Sequence, residues 1–158
     1  MKRNIRLILV GEFLLFVAIF VFIVMLSGGK SVALSFIDLP SLIIILVVLI
    51  PGLLIMGEWK NFIKAFSVGI KQYSLLELKN IIGAVAAAQK LTVFGAVFSI
   101  VMTMIILLGK MMEPATIGPN FAACLLSGFY AVIIEFFLLP LRLNAERKMN
   151  EEMDLGDE

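Results

Sequence analysis

Histidine does not occur in this chain. Its absence removes the commonest metal ligand and the commonest general base, so titration near neutral pH must come from shifted carboxylates. Cysteine occurs once, as Cys124 inside an apolar run. No intramolecular disulfide can form, and the ordinary role of such a residue is a small packed side chain. Charge is also scarce. Asp, Glu, Lys and Arg make up 16% of the residues and the net charge is +1, with no general basic signal for nucleic acid. No nucleophile–base pair, metal-ligand cluster or Gly-rich phosphate loop is present, so the chain reads as a non-enzyme with no bound cofactor.

What the chain has is apolar surface: 61% of its 158 residues are hydrophobic, and the mean hydropathy is +1.08. A chain this size buries one modest core and cannot hide that much apolar side chain from water. A lipid bilayer is the remaining solvent. Four runs approach the roughly 20 helical residues that a hydrocarbon core of about 30 Å requires. They predict spans over 5–26, 39–56, 91–112 and 117–141. Each should be a helix, because backbone groups facing lipid must be bonded within the segment. Lys2, Arg3 and Arg6 ahead of the first run resemble a signal sequence. The run is too long for one, and only Ser27-Gly28-Gly29 offers a loose cleavage site, so a retained span is expected.

The expected fold is an all-α membrane protein with one four-span domain over 1–149 and an acidic, frayed tail over 150–158. Basic residues set the orientation. Eleven lie before span one, between spans two and three, or after span four; only Lys30 and Lys110 lie in the other two loops. The positive-inside rule then puts both termini and the loop 57–90 in the cytoplasm. Within that loop, Phe62, Ile63, Phe66 and Ile70 recur at helical spacing among lysines, predicting an amphipathic surface helix over 59–73. Trp59 is placed as an interfacial anchor. From Leu75 an Ala-rich helical pattern runs on into span three. Pro40 suits the first turn of span two. Pro51-Gly52 should kink that span, and Pro140 should end or bend span four. Asp38 is a candidate cap for span two. Phe36, Ile37 and Leu39 are too apolar for a free loop and are expected to lie on the outer interface.

Polar groups inside the spans are the candidates for function. Ser99 and Thr103 share a face of span three, and Ser127 and Glu135 lie on span four. If Lys90 and Arg142 are level at the inner boundary, Ser99 lies about 13 Å, Ser127 about 22 Å and Glu135 about 10 Å above it, at 1.5 Å per residue. Hydroxyls at such depths ordinarily bond the carbonyl one turn back and serve packing. A carboxylate there must pair, protonate or meet water. Glu135 therefore reads either as an ion-pair partner of Arg142 or Lys90, or as a water-facing group at the inner end of an ion path. Glu12, near the inner end of span one, should snorkel or pair with Arg6 or a loop lysine. Gly95, Ala123, Gly128 and Ala131 permit close helix approach.

The run Glu113-Pro114-Ala115-Thr116-Ile117-Gly118-Pro119-Asn120-Phe121-Ala122, followed by Leu125-Leu126-Ser127-Gly128-Phe129-Tyr130, resembles the junction of spans three and four in the MotA/TolQ/ExbB proton-channel family, its MotA branch in particular. Phe36-Ile37-Asp38-Leu39-Pro40-Ser41-Leu42 resembles the entry to that branch's second span. Phe94-Gly95 with Ser99 resembles its third, and Leu138-Leu139-Pro140 the end of its fourth.

The resemblance implies a pentamer in a bacterial inner membrane, around a dimer of a MotB- or ExbD-like single-span partner, powered by a proton or sodium gradient. Ser99, Thr103, Ser127 and Glu135 would flank the ion path. Gly95, Ala123, Gly128 and Ala131 would pack toward the partner. The chain departs from the family at several points. The large cytoplasmic domain is replaced by the segment 57–90, the glycine before the third-span hydroxyl is Phe98 and the glycine beyond it is lost too, one fourth-span hydroxyl is Leu126, and the Asn five residues before the final Pro is Glu135. A non-conducting membrane assembly or anchoring protein that retains the fold is therefore the alternative.

Overall fold

The computed structural model describes residues 5–26, 36–109 and 114–156. The described residues form five helices: α1 (Ile5–Leu26), α2 (Leu39–Ile55), α3 (Trp59–Ala65), α4 (Leu75–Gly109) and α5 (Pro114–Gly156). No strand occurs among the described residues. Among the described residues three helices are long and apolar enough to cross a membrane, and a fourth span results if α2 and α3, bent by 110°, count as one broken span. Lys2, Arg3, Ser27-Gly28-Gly29, Lys30, Lys110 and Glu113, and the expected end of span three at 110–112, lie outside the described residues.

The hairpin of α4 and α5 is the backbone of the fold and its most extensive interface. On α4 the buried residues include Leu78, Ile81, Val85, Ala88, Thr92, Gly95 and Ser99. Their spacing alternates three and four. On α5, Cys124, Ser127, Ala131, Leu138, Leu141 and Ala145 are buried, with half-buried Ile134 completing the same alternation. Two matched 3.5-residue seams are the geometry of antiparallel helices packed side by side in a left-handed coil. Ser99 and Ser127 bond each other across the seam, so they are level.

That register corrects the depth expectation. Lys90 is 9 residues from Ser99, whereas Arg142 is 15 from Ser127, so the two cations are not level. Glu135 is 8 residues from Ser127 and faces the level of Leu91, beside Lys90. Glu135 and Lys90 are therefore nearly level along the hairpin. Arg142 lies about 9 Å further along the axis.

α2 packs its buried stripe of Ser41, Ile45, Leu49 and Leu53 onto the hairpin. Asp38 occupies the N-cap position but makes no side-chain cap. Pro40, at the second position, has no N–H to offer it. Phe36 packs against two other rings. Its ring lies 5.5 Å from Phe20 of α1 and 5.7 Å from Phe129 of α5. Pro51 stays inside α2. Gly52 faces α4, where a Cβ would come within 2.9 Å of the Leu91 methyls.

The helix ends one turn later. Gly57 has φ +74. The Glu58 N–H donates to the Leu53 carbonyl at 2.9 Å, and the Gly57 N–H to Leu54 at 3.1 Å. This pair of bonds with a left-handed glycine is a Schellman stop, and it turns the chain into α3.

α3 is shorter than its periodicity predicts. It ends at Ala65, where the Phe66 and Ser67 N–H groups bond carbonyls three residues back, and Ser67 Oγ also donates to Lys64. Ala65 and Val68 point into the core, with Trp59 and Phe62 against it, while Ile63, Phe66 and Ile70 stay exposed. Lys64 reaches Glu77 at 3.0 Å and lies over the Tyr73 ring. α4 begins with a capping box: Ser74 and Glu77 exchange side-chain-to-backbone bonds of 3.2 and 3.4 Å. It runs unbroken to Gly109, as the Ala-rich pattern predicts.

Pro140 does not end α5, which continues through the tail to Gly156. Lys148 bonds Glu151 at 2.6 Å on that extension, one turn apart, so the expected frayed tail is helical up to there. α1 lies along α5 through Ile8, Leu9 and the Phe16–Phe137 edge contact. Over Leu7–Leu26 no residue is fully buried; Ile8, Leu9, Glu12, Phe16, Phe20 and Val24 form a half-buried stripe and the rest are exposed.

Candidate functional site

Two polar sites lie along the α4–α5 hairpin. The first is the hydroxyl seam. Ser99 and Ser127 are both fully buried, and their Oγ atoms are 3.0 Å apart. Ser127 Oγ also lies 3.0 Å from the Ala123 carbonyl. Ser127 has one hydrogen, so a single arrangement satisfies both contacts: Ser99 donates to Ser127, and Ser127 donates to Ala123. Thr103, one turn along α4 and half-buried, donates to the Ser99 carbonyl at 2.9 Å. Thr92 does the same to Ala88 at 3.0 Å. The seam is a short line of bonded oxygens.

Small residues bring the helices together around it. A Cβ on Gly95 would lie 3.1 Å from Ile45 Cα and 3.4 Å from the Ile45 carbonyl. Ala131 packs with Ile45 and Ala96 in one buried cluster. Gly95 and Ala131 are thus engaged inside the chain, at the junction of α2, α4 and α5. Gly128 has open space where its side chain would be, and Ala123 is half-buried.

Beside the seam, Tyr130 ties α5 to the start of α2. Its hydroxyl donates to the Phe36 carbonyl at 2.7 Å and accepts from the Asp38 N–H at 2.6 Å. This clasp was not foreseen from sequence. Its only signal is a tyrosine amid apolar residues, whose hydroxyl must find a partner when buried. Asp38 Oδ2 is buried with no hydrogen-bond partner.

The second site is an open groove of about 530 Å³ lined by Ala86, Gln89, Lys90, Val93, Glu135 and Arg142, with Phe94 and Val97 above them. Glu135 is about 12 Å along the axis from Ser127, so the two candidates are not in contact. The expected ion pair of Glu135 with Arg142 or Lys90 is not formed. Arg142 Nε bonds Glu146 at 2.8 Å and its Nη1 donates to Gln89 at 3.2 Å. That reach follows from geometry: helical side chains lean toward their own N-terminus, so on antiparallel helices Arg142 and Gln89 lean toward each other. Glu135 has Gln89 as its polar neighbour, but its Oε1 is buried and unpartnered. Glu12 Oε2, on α1, is likewise buried without a partner.

Among the described residues no group of acidic, cysteine or histidine side chains is arranged to hold a metal ion. Comparison with family models, curated proteins and solved structures returned no match to this chain.

Proposed function

We propose that this chain is a scaffold subunit of the MotA/TolQ/ExbB kind in a bacterial cytoplasmic membrane. Five copies surround a dimer of a single-span MotB- or ExbD-like partner, and proton or sodium flow is coupled to the partner's motion. The observation that carries this reading is the α4–α5 hairpin. It is longer than a bilayer is thick, runs on a regular seam, and carries a bonded hydroxyl pair within its apolar part. An ion leaving water needs oxygen ligands or a proton relay at intervals, and the Ser99–Ser127–Ala123 line supplies such oxygens. Glu135 stands where the path meets the basic side of the membrane.

The same pair motivates a second reading. Both hydroxyls are fully buried and bonded to each other or to backbone, which is what a scaffold that does not conduct requires. The two readings part in sealed vesicles. With the partner present, a conducting scaffold passes protons or sodium, and Ser127→Val reduces that flux. A non-conducting scaffold shows no flux in either form. Native mass spectrometry of the chain co-expressed with its genomic neighbours tests the shared premise. Five copies with two of a single-span protein support it, and any other stoichiometry removes it.

A further inference from the structure

Glu135 and Lys90 line one groove, yet neither forms an ion pair with a described residue. The third charge, Arg142, is already balanced by Glu146. What remains is one carboxylate oxygen, buried and unpartnered, and one exposed ammonium. Above them, Val93, Phe94 and Val97 are half or more exposed and form an apolar wall along α4. The register of the hairpin puts the two charges level with each other.

We propose that this groove binds an ethanolamine phospholipid, with its ammonium on Glu135, its phosphate on Lys90 and an acyl chain along Val93, Phe94 and Val97. Three features select this occupant. The two uncompensated charges are of opposite sign, so a zwitterion neutralises both at once. A primary ammonium carries N–H donors for the empty Glu135 oxygen, whereas the quaternary ammonium of a choline lipid has none. A headgroup at the boundary with a chain directed into the apolar zone matches the groove's polar floor and apolar wall. An anionic glycerol lipid would leave Glu135 without a donor cation. The inference rests on neither ion conduction nor pentamer formation.

The test uses the full chain in nanodiscs of equal parts ethanolamine and choline phospholipid with identical acyl chains, released into native mass spectrometry. The wild type should retain the ethanolamine lipid about tenfold over the choline lipid, the size of one charge-assisted hydrogen bond. Glu135→Gln should bring the ratio near one. Lys90→Gln should reduce retention of both lipids together and leave their ratio intact. Equal retention by the wild type overturns the proposal, as does an unchanged preference in Glu135→Gln. If Glu135→Gln fails to fold, the wild-type ratio and the exposed Lys90→Gln variant still decide. Glycerophosphoethanolamine, which has no acyl chains, should compete poorly; competition equal to that of the lipid overturns the membrane source. Loss of self-association in Glu135→Gln, with lipid preference kept, would assign the groove to a second copy instead.

Discussion

Ser99 and Ser127 stand 3.0 Å apart, fully buried, and their bond sets the register between α4 and α5. The bond predicts a measurable coupling. Ser99→Ala and Ser127→Ala should each destabilise the fold, and the double variant should cost less than the two combined. The expected coupling is about 0.6 kcal/mol, the usual size for polar pairs between membrane helices. Reversible unfolding in mixed detergent micelles measures it, and strict additivity would mean that the bond contributes nothing.

Gly95 and Gly128 should respond in opposite ways to the same change. Gly95→Ala places a methyl 3.1 Å from the Ile45 backbone, which has no side-chain rotamer with which to yield. A loss of about 1–3 kcal/mol is expected, the usual range for overpacking. Gly128→Ala meets open space, and the helix propensity of alanine makes it neutral or up to about 1 kcal/mol stabilising. Thermal unfolding of the two variants side by side checks the contrast.

Gly57 holds the stop between α2 and α3 at φ +74. Gly57→Ala forces a side chain into the left-handed region, at about 1–2 kcal/mol. Hydrogen exchange should rise at the Gly57 and Glu58 amides, which close the stop. Unchanged exchange would mean that packing of α3, rather than the glycine, sets the 110° bend.

Two ion pairs outside the apolar zone carry a pH dependence. The hydrogen bond from Lys64 holds the Glu77 carboxyl below its ordinary value of 4.5, and Lys148 does the same for Glu151. A depressed carboxylate pKa contributes stability that is present above the unfolded value and is lost as pH falls through the folded one. Both groups are exposed, so the effect is small and screened by salt. Acidification below pH 4.5 should loosen α3 from the start of α4, seen as faster exchange there. Glu77→Gln should loosen it at neutral pH and flatten the response.

Several features were legible before the structure. The start of α4 at Leu75 follows from the helical pattern there; the Ser74–Glu77 capping box that closes it is a local signal not foreseen from sequence. The continuous α4 follows from its Ala-rich run. The length of α3 was misjudged because Phe66 and Ile70 keep helical spacing while the turn at Ser67 breaks the backbone. That Lys90 and Arg142 are not level is invisible in the sequence, because the register between α4 and α5 is set by packing across the seam. The Tyr130 clasp joins residues 92 and 94 positions apart, a separation that no local pattern encodes.

By itself the sequence determined that the chain is helical and apolar enough to enter a bilayer. Backbone groups in lipid must bond within their own segment, and long apolar runs with few charges suit that solvent. Only the tertiary structure decided which stripe of each helix faces inward, and so that Ser99 meets Ser127 while Glu135 opens onto a groove with Lys90. The physical reason is the solvent. In water, an inward face stands out as apolar against a polar one. In lipid, both faces are apolar, the contrast fades, and the choice passes to side-chain volume and to the few hydroxyls and charges that must find partners.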